Sequence, residues 1–333
     1  MQMSAAADGQ TEATVAAWAT TDLAPNVAGR DPEDIAAEPG SRDAAAPPLR
    51  FDANLSILFG DRPILERPAL AVQAGFDAVE MWWPFERGVP SPAEVDRLVA
   101  SIADEGLALV LLNLYGGSPH AGEHGLLTLP DQRSRFRDNV EVAIEIAARL
   151  GGRVLNALWG NITRDVPKAD RQATAVENLG YAAQRAATVG ARVVLEPLNA
   201  IDFPRYGLRT IEDAIALADR ASADAGVAVD VLFDVYNVQR TQGDLLRRIE
   251  AYAHRFGHVQ IADVPGRLRP GTGEIAFERV LGALQRAGYR GFVGLEYRPS
   301  SDPDDTFAWL PLERRRSGSS TSFQLATHIT RRD

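Results

Sequence analysis

The sequence predicts an α/β fold, a (β/α)8 TIM barrel, and three observations carry that expectation. Short β-rich runs alternate eight times with longer stretches of helical period. No hairpin signal joins consecutive runs, so the strands read as parallel. The alternating part spans 50–310, close to the roughly 250 residues of a closed barrel. The competing open, doubly wound sheet carries a glycine-rich phosphate loop after its first strand. Here the first run leads into Leu58-Phe59-Gly60-Asp61-Arg62-Pro63, which lacks that spacing.

The strands are expected, in order, over Phe51–Ile57, Ala78–Trp82, Ala108–Leu114, Val154–Leu158, Val193–Leu198, Val229–Asp234, His258–Ala262 and Phe292–Tyr297. Helical stretches separate them. After the third strand, Phe136, Val140, Ala143, Ala147 and Leu150 fall on one face at 3.6-residue period. Gly75, Gly106, Gly151, Gly190 and Gly288 each follow a helical run, where a left-handed C-cap is wanted.

Three segments are expected: a disordered N-terminal tail over 1–48, the barrel over 49–312, and a flexible C-terminal tail over 313–333. Residues 1–48 are rich in Ala, Asp, Glu, Pro and Gly and hold too few large apolar residues to offset the entropy of ordering. Arg314, Arg315 and Arg316 form a charge run, read as a solvated end. Of the net charge of -10, residues 1–49 supply -6 through eight acids and two bases. The rest is mildly acidic and offers no basic stripe for nucleic acid. No apolar run reaches the roughly 18–20 residues of a membrane span, and no secretory signal opens the chain. The absence of cysteine excludes disulfides, thiolate nucleophiles and thiolate-bound zinc. A cytoplasmic protein, with neither nucleic-acid nor membrane partner and with homo-oligomers allowed, is the expectation.

In a barrel the active site is built at the C-terminal ends of the strands. A polar residue ending an apolar strand is costly to bury unless it is paired or bound to a ligand. Strands five to eight carry such residues: Glu196, Asp234, Gln260 and Glu296. Three carboxylates and an amide converging without a lysine cluster would repel one another. A hard divalent cation resolves the repulsion, and all-oxygen ligation suits Mg²⁺, Mn²⁺ or Ca²⁺ rather than zinc. Asn54, Glu80, Asn113 and Asn156 also lie near strand ends, where structural or supporting roles are expected.

The segments FDANLSIL (51–58), AGFDAVEMWWP (74–84), LEPLN (195–199), FDVYNVQ (233–239), GHVQIADVPGRLRPGTGE (257–274) and GLEYRP (294–299) resemble the hydroxypyruvate isomerase family, among the xylose isomerase-like barrels. The resemblance covers roughly 50–310 and implies Glu196, Asp234, Gln260 and Glu296 as ligands of Mg²⁺ or Mn²⁺. It implies Glu196 and Glu296 as the acid/base pair, with Arg267 and His258 at the substrate. One position departs: the family has a histidine three residues after the sixth-strand aspartate, where this chain has Asn237. Asn can hydrogen-bond but cannot carry a proton at neutral pH.

The implied activity is aldose–ketose isomerisation of hydroxypyruvate or a close relative such as a 2-oxotetronate. The substrate is a small anionic hydroxy-oxo acid or sugar. Such chemistry needs a base for the carbon, an acid for the oxygen and an electrophile. Arg267 and Arg298 are the candidates for a substrate carboxylate, because a guanidinium fork binds it bidentately. The alternatives are a ketose 3-epimerase, which uses the same groups, and a non-catalytic sugar-binding barrel. A multi-zinc endonuclease on the same fold needs many histidines, and the chain has five. His120 and His124, in a glycine-rich loop after the third strand, are candidates for a lid.

Overall fold

The computed structural model describes residues 48–118 and 122–316. The expected N-terminal tail, apart from residue 48, lies outside them, as do His120 and the chain beyond 316. Eight parallel strands close into a barrel in chain order. They are β1 (Arg50–Asn54), β2 (Ala78–Met81), β3 (Ala108–Asn113), β4 (Val154–Ala157), β5 (Arg192–Leu195), β6 (Val229–Asp234), β7 (Phe256–Ile261) and β8 (Phe292–Leu295). Pairing of β1 with β8, Phe51 against Val293 and Ala53 against Leu295, completes the ring. The strand centres match the expectation. Several expected strands overrun because the chain leaves the ladder while staying apolar, as at Leu114, Leu158 and Leu198.

The main helices are α1 (Arg67–Gln73), α2 (Pro92–Ala103), α3 (Arg133–Leu150), α4 (Lys168–Ala187), α5 (Ile211–Ala225), α6 (Val235–Thr241), α7 (Leu245–Tyr252) and α8 (Phe277–Arg286). Every residue of the expected apolar face of α3 is buried, from Phe136 to Leu150. Burying one such large side chain stabilises the fold by roughly 1.5–3 kcal/mol. Gly151 ends α3 at φ 64°, and its N–H donates to Ala147 O. A residue with a Cβ would be strained there.

The apolar interior has two parts. A large cluster fills the layer between strands and helices. A small one, Ala78, Val110, Leu111, Val154, Val194 and Leu232, is separate from it. Val194 and Leu232 each lie two residues before Glu196 and Asp234, hence on the same face of the strand by the pleat. The barrel is thus plugged with apolar residues below and carries polar groups above.

Two devices hold the loops over that polar end. Asn139, buried on α3, accepts from Tyr115 N at 2.8 Å and donates to Gly88 O at 2.8 Å, tying the loops after β2 and β3. Asp263, fully buried after β7, accepts from the N–H groups of Gly271, Thr272 and Gly273 at 2.8–3.0 Å. That bracket folds back the loop carrying Arg267.

The reading of the chain from 313 as a solvated tail does not hold for Arg314 and Arg315. Arg314 is only 5% exposed. Arg315 donates to Leu310 O, Ala74 O and Phe307 O, with its guanidinium over the Phe307 ring. Free main-chain carbonyls and an aromatic face accept the guanidinium, which a charge count cannot register.

Candidate active site

The polar end of the barrel opens into a cavity of about 1150 Å³. Glu196, Asn237, Arg267, Glu296 and Arg298 line it, with Trp82, Trp83 and Phe85 as an aromatic wall. Both tryptophans reach the cavity because β2 ends at Met81, so strand alternation no longer constrains them. His124 lines it too, its ring 5.2 Å edge-on from Phe203.

Glu196, Asp234 and Glu296 offer oxygens that all lie within 4.8 Å of one another, and all three side chains are buried. Each is oriented by specific donors. Asn156 Nδ2 donates to Glu196 Oε2 at 2.8 Å. Asp234 Oδ1 accepts from Tyr236 N at 2.8 Å, at the N-terminus of α6. Trp82 Nε1 donates to Glu296 Oε1 at 2.6 Å, and Asn54 Nδ2 reaches the same oxygen at 3.3 Å. Arg267 Nη2 bridges Asp234 Oδ2, at 3.0 Å, and Glu296 Oε2.

Asn237 joins this set rather than standing apart from it. Its Nδ2 donates to Asp234 Oδ2 at 2.6 Å and to Glu196 Oε1 at 3.3 Å. Its Oδ1 accepts from Asn199 Nδ2 at 2.7 Å. Asn199 therefore sets which end of the amide faces the carboxylates.

Burial first, and then the neighbouring carboxylates, push Glu196 well above the ordinary range. Burial raises Asp234 as well, opposed by Arg267 and two backbone N–H groups. Burial lifts Glu296 to about 7, against the pull of Arg267. For Arg267, burial favours the neutral form, but Asp234, Glu296 and Glu196 outweigh it and hold the charge.

The residues fit a divalent cation. The donor set is oxygen-rich, and Gln260 Oε1, buried beside it, has no hydrogen-bond partner. Gln260 is paired in register with Asp234 on the next strand. Gln260 Oε1 with one oxygen each from Glu196, Asp234 and Glu296 makes a ligand set suited to Mg²⁺ or Mn²⁺.

His258 is not brought to the cavity. It is 1% exposed, and its Nε2 lies 2.6 Å from Glu80 Oε2 and 3.9 Å from Asp52 Oδ2. Lying two residues before Gln260, it faces the same way but about 6.6 Å deeper along the strand. The expectation that it touches substrate gives way to a place beneath the carboxylates. Arg298 is exposed at the rim, its N–H donating to Arg267 O at 2.8 Å.

Asp52 is the main group that sequence reasoning did not place, and the bond from Trp82 to Glu296 is a contact that no sequence pattern carries. Asp52 is fully buried, and neither carboxylate oxygen has a hydrogen-bond partner. Burial, with Glu80 and Glu296, raises its pKa well above normal. A raised folded-state pKa contributes stability that is complete below the unfolded value of about 3.9 and is lost as pH rises through the folded value. Asp52→Asn removes the titration, so at pH 8 it is expected to stabilise the protein by about 1–3 kcal/mol. Melting curves at pH 8 and pH 4 check this, with the gain shrinking at the lower pH. An unchanged or lowered melting temperature at pH 8 would show that the charge is compensated.

Comparison with known proteins agrees with this architecture. Residues 68–312 match the family model described as Xylose isomerase-like TIM barrel. A Streptomyces coelicolor protein provisionally named as a hydroxypyruvate isomerase is 45% identical, over 80% of this chain and 97% of its own length. The hydroxypyruvate isomerase of Escherichia coli is 35% identical, over 79% of this chain and 98% of its own. Among solved structures, AP endonuclease, family 2 from Brucella melitensis superposes with a TM-score of 0.71 at 36% identity. That match covers 78% of this chain and 97% of the other. The chain belongs to the xylose isomerase-like TIM barrels and, among them, to the hydroxypyruvate isomerase family, and is an enzyme of the isomerase class.

Proposed function

We propose that this protein interconverts hydroxypyruvate and tartronate semialdehyde, with Glu196 and Glu296 as the proton carriers and a divalent cation as cofactor. The observation that carries the reading is the triad of buried carboxylates, Glu196, Asp234 and Glu296, gathered within 4.8 Å, with Glu196 and Glu296 lining the cavity that Arg267 also lines. When bound, the cation supplies a Lewis acid that polarises the substrate's oxygens.

The chain's own groups supply the rest. One glutamate takes a proton from C3 of hydroxypyruvate, and the C–H electron pair becomes the C2–C3 double bond of an enediolate. A proton delivered to C2, a second taken up by the C2 oxygen and loss of the C3 hydroxyl proton complete tartronate semialdehyde: two protons leave and two arrive, with no net gain or loss of atoms or electrons. Glu196 on the β5 side and Glu296 on the β8 side stand at separate strand ends, which suits division of acid and base work between them. Burial favours a carboxyl that can hold a proton near neutral pH, as at Glu296 with a value of about 7. Trp82 and Asn54 fix one oxygen of Glu296 and leave its direction little freedom. Arg267, with Arg298 at the rim, receives the substrate carboxylate. The aromatic wall of Trp82, Trp83 and Phe85 excludes water from one side.

The test is a substrate panel on the full chain with Mn²⁺ or Mg²⁺, followed by proton NMR. Hydroxypyruvate, 2-oxotetronates and C5–C6 ketoses are supplied separately. Conversion of hydroxypyruvate to the aldehyde is the expected result. Inversion at C3 of a ketose with no action on hydroxypyruvate would replace the reading with an epimerase, and inertness toward all three classes with a binding barrel.

A further inference from the structure

Beneath the carboxylates, inside the barrel, Glu80 on β2 is fully buried. Its Oε1 accepts from Gln260 Nε2 at 2.8 Å and from Asn54 Nδ2 at 2.8 Å. Its Oε2 meets His258 Nε2 at 2.6 Å. Both oxygens are thus occupied, by groups from β7 and β1. Nothing in the metal reading uses Glu80 as a ligand.

We infer that Glu80 is a positioning residue which makes Gln260 present its oxygen, and not its nitrogen, to the cation. The inference rests on the metal reading above. A glutamine amide has one end that accepts and one that donates. Only the oxygen can ligate a hard cation. Amide rotation exchanges the two ends at little steric cost, so something must choose between them. Glu80 Oε1 lies 2.8 Å behind the amide and accepts from its NH₂. The NH₂ is therefore drawn to Glu80. The opposite end, Oε1, is the buried atom without a partner, on the residue paired with Asp234. Reversing the amide would set oxygen against oxygen at the Glu80 contact and aim N–H bonds at the cation. Such outer contacts commonly govern metal affinity by 10- to 100-fold.

The space that permits this arrangement is also specified. Gly294 on β8 pairs in register with Gln260. A Cβ built on Gly294 would stand 2.5 Å from Glu80 Oε2 and 2.6 Å from Glu80 Cδ. The Gly294 backbone has no positive φ, so alanine is not strained there by its backbone, and the three nearest atoms its Cβ would meet all belong to the Glu80 carboxylate. Gly294 is thus the hole in the barrel wall that the Glu80 carboxylate fills.

The experiment is Mn²⁺ binding to the full chain, read from the free-ion paramagnetic resonance signal, which needs no substrate. Glu80→Ala is expected to weaken Mn²⁺ binding about 10- to 100-fold. Glu80→Ala with Gln260→Ala is expected to bind no more weakly than the weaker single variant, because one contact acts through the other. Gly294→Ala removes no polar atom, yet by displacing Glu80 it is expected to weaken Mn²⁺ at least about tenfold. It keeps the test open if Glu80→Ala does not fold. Wild-type Mn²⁺ affinity in the Gly294→Ala and Glu80→Ala variants would overturn the inference, as would losses that multiply in the double variant. Failure of the unaltered protein to take up Mn²⁺ is a separate result and overturns the metal reading together with this one.

Discussion

Glu196→Gln and Glu296→Gln are each expected to lower turnover of hydroxypyruvate at least about 10²-fold, the usual loss for a positioned acid or base. Each carboxylate has two tasks, holding the cation and moving a proton. Glutamine keeps an oxygen for the first and cannot perform the second at neutral pH. Turnover should therefore fall further than Mn²⁺ affinity. Both carboxylates accept at both oxygens, Glu196 from Asn156 and Asn237 and Glu296 from Trp82 and Arg267, so either glutamine must turn its NH₂ toward one donor and lose part of its metal affinity. Steady-state kinetics at saturating Mn²⁺ decides the matter. Near-wild-type turnover in either variant would remove that glutamate from proton transfer.

Arg267→Met is expected to raise KM for hydroxypyruvate by about 10²-fold or more. Truncating one partner of a buried, hydrogen-bonded charge pair costs roughly 2–5 kcal/mol. Arg267 is the cation that Asp234 and Glu296 face, and it lines the cavity where the substrate carboxylate would lie. Its stacking on Tyr236, 4.9 Å from guanidinium carbon to ring centre, fixes the plane of the fork. A lysine cannot reproduce that plane or bind bidentately, so Arg267→Lys should recover little of the loss. Kinetics of both variants at saturating Mn²⁺ provides the check. An unchanged KM in Arg267→Met would place the substrate carboxylate elsewhere, with Arg298 the next residue to test.

Much of this site was legible because a parallel barrel turns a strand-end position into a spatial one. Val229–Asp234 was expected and found with the same ends, and that places Asp234 at the mouth. Glu196, Gln260 and Glu296 follow from the same rule applied to the neighbouring strands. Depth was less legible than direction. Alternation places His258 and Gln260 on one face, but it does not say which of them lies level with Asp234. Contacts across the ring were not legible at all. Trp82 and Glu296 are 214 residues apart, and no periodicity links them. Asp52 lies inside an apolar strand, where an acid signals either an error of register or a buried polar layer. Only the assembled barrel, with Glu80 and His258 beside it, selects the second.

The central claim is that isomerisation of hydroxypyruvate requires one divalent cation held by Glu196, Asp234, Gln260 and Glu296. Turnover of the full chain, stripped with a chelator and titrated with Mn²⁺, tests it most directly. Turnover is expected to be absent in the stripped protein and to rise to a plateau at one Mn²⁺ per chain. Full turnover by the stripped protein, before any Mn²⁺ is added, would contradict it.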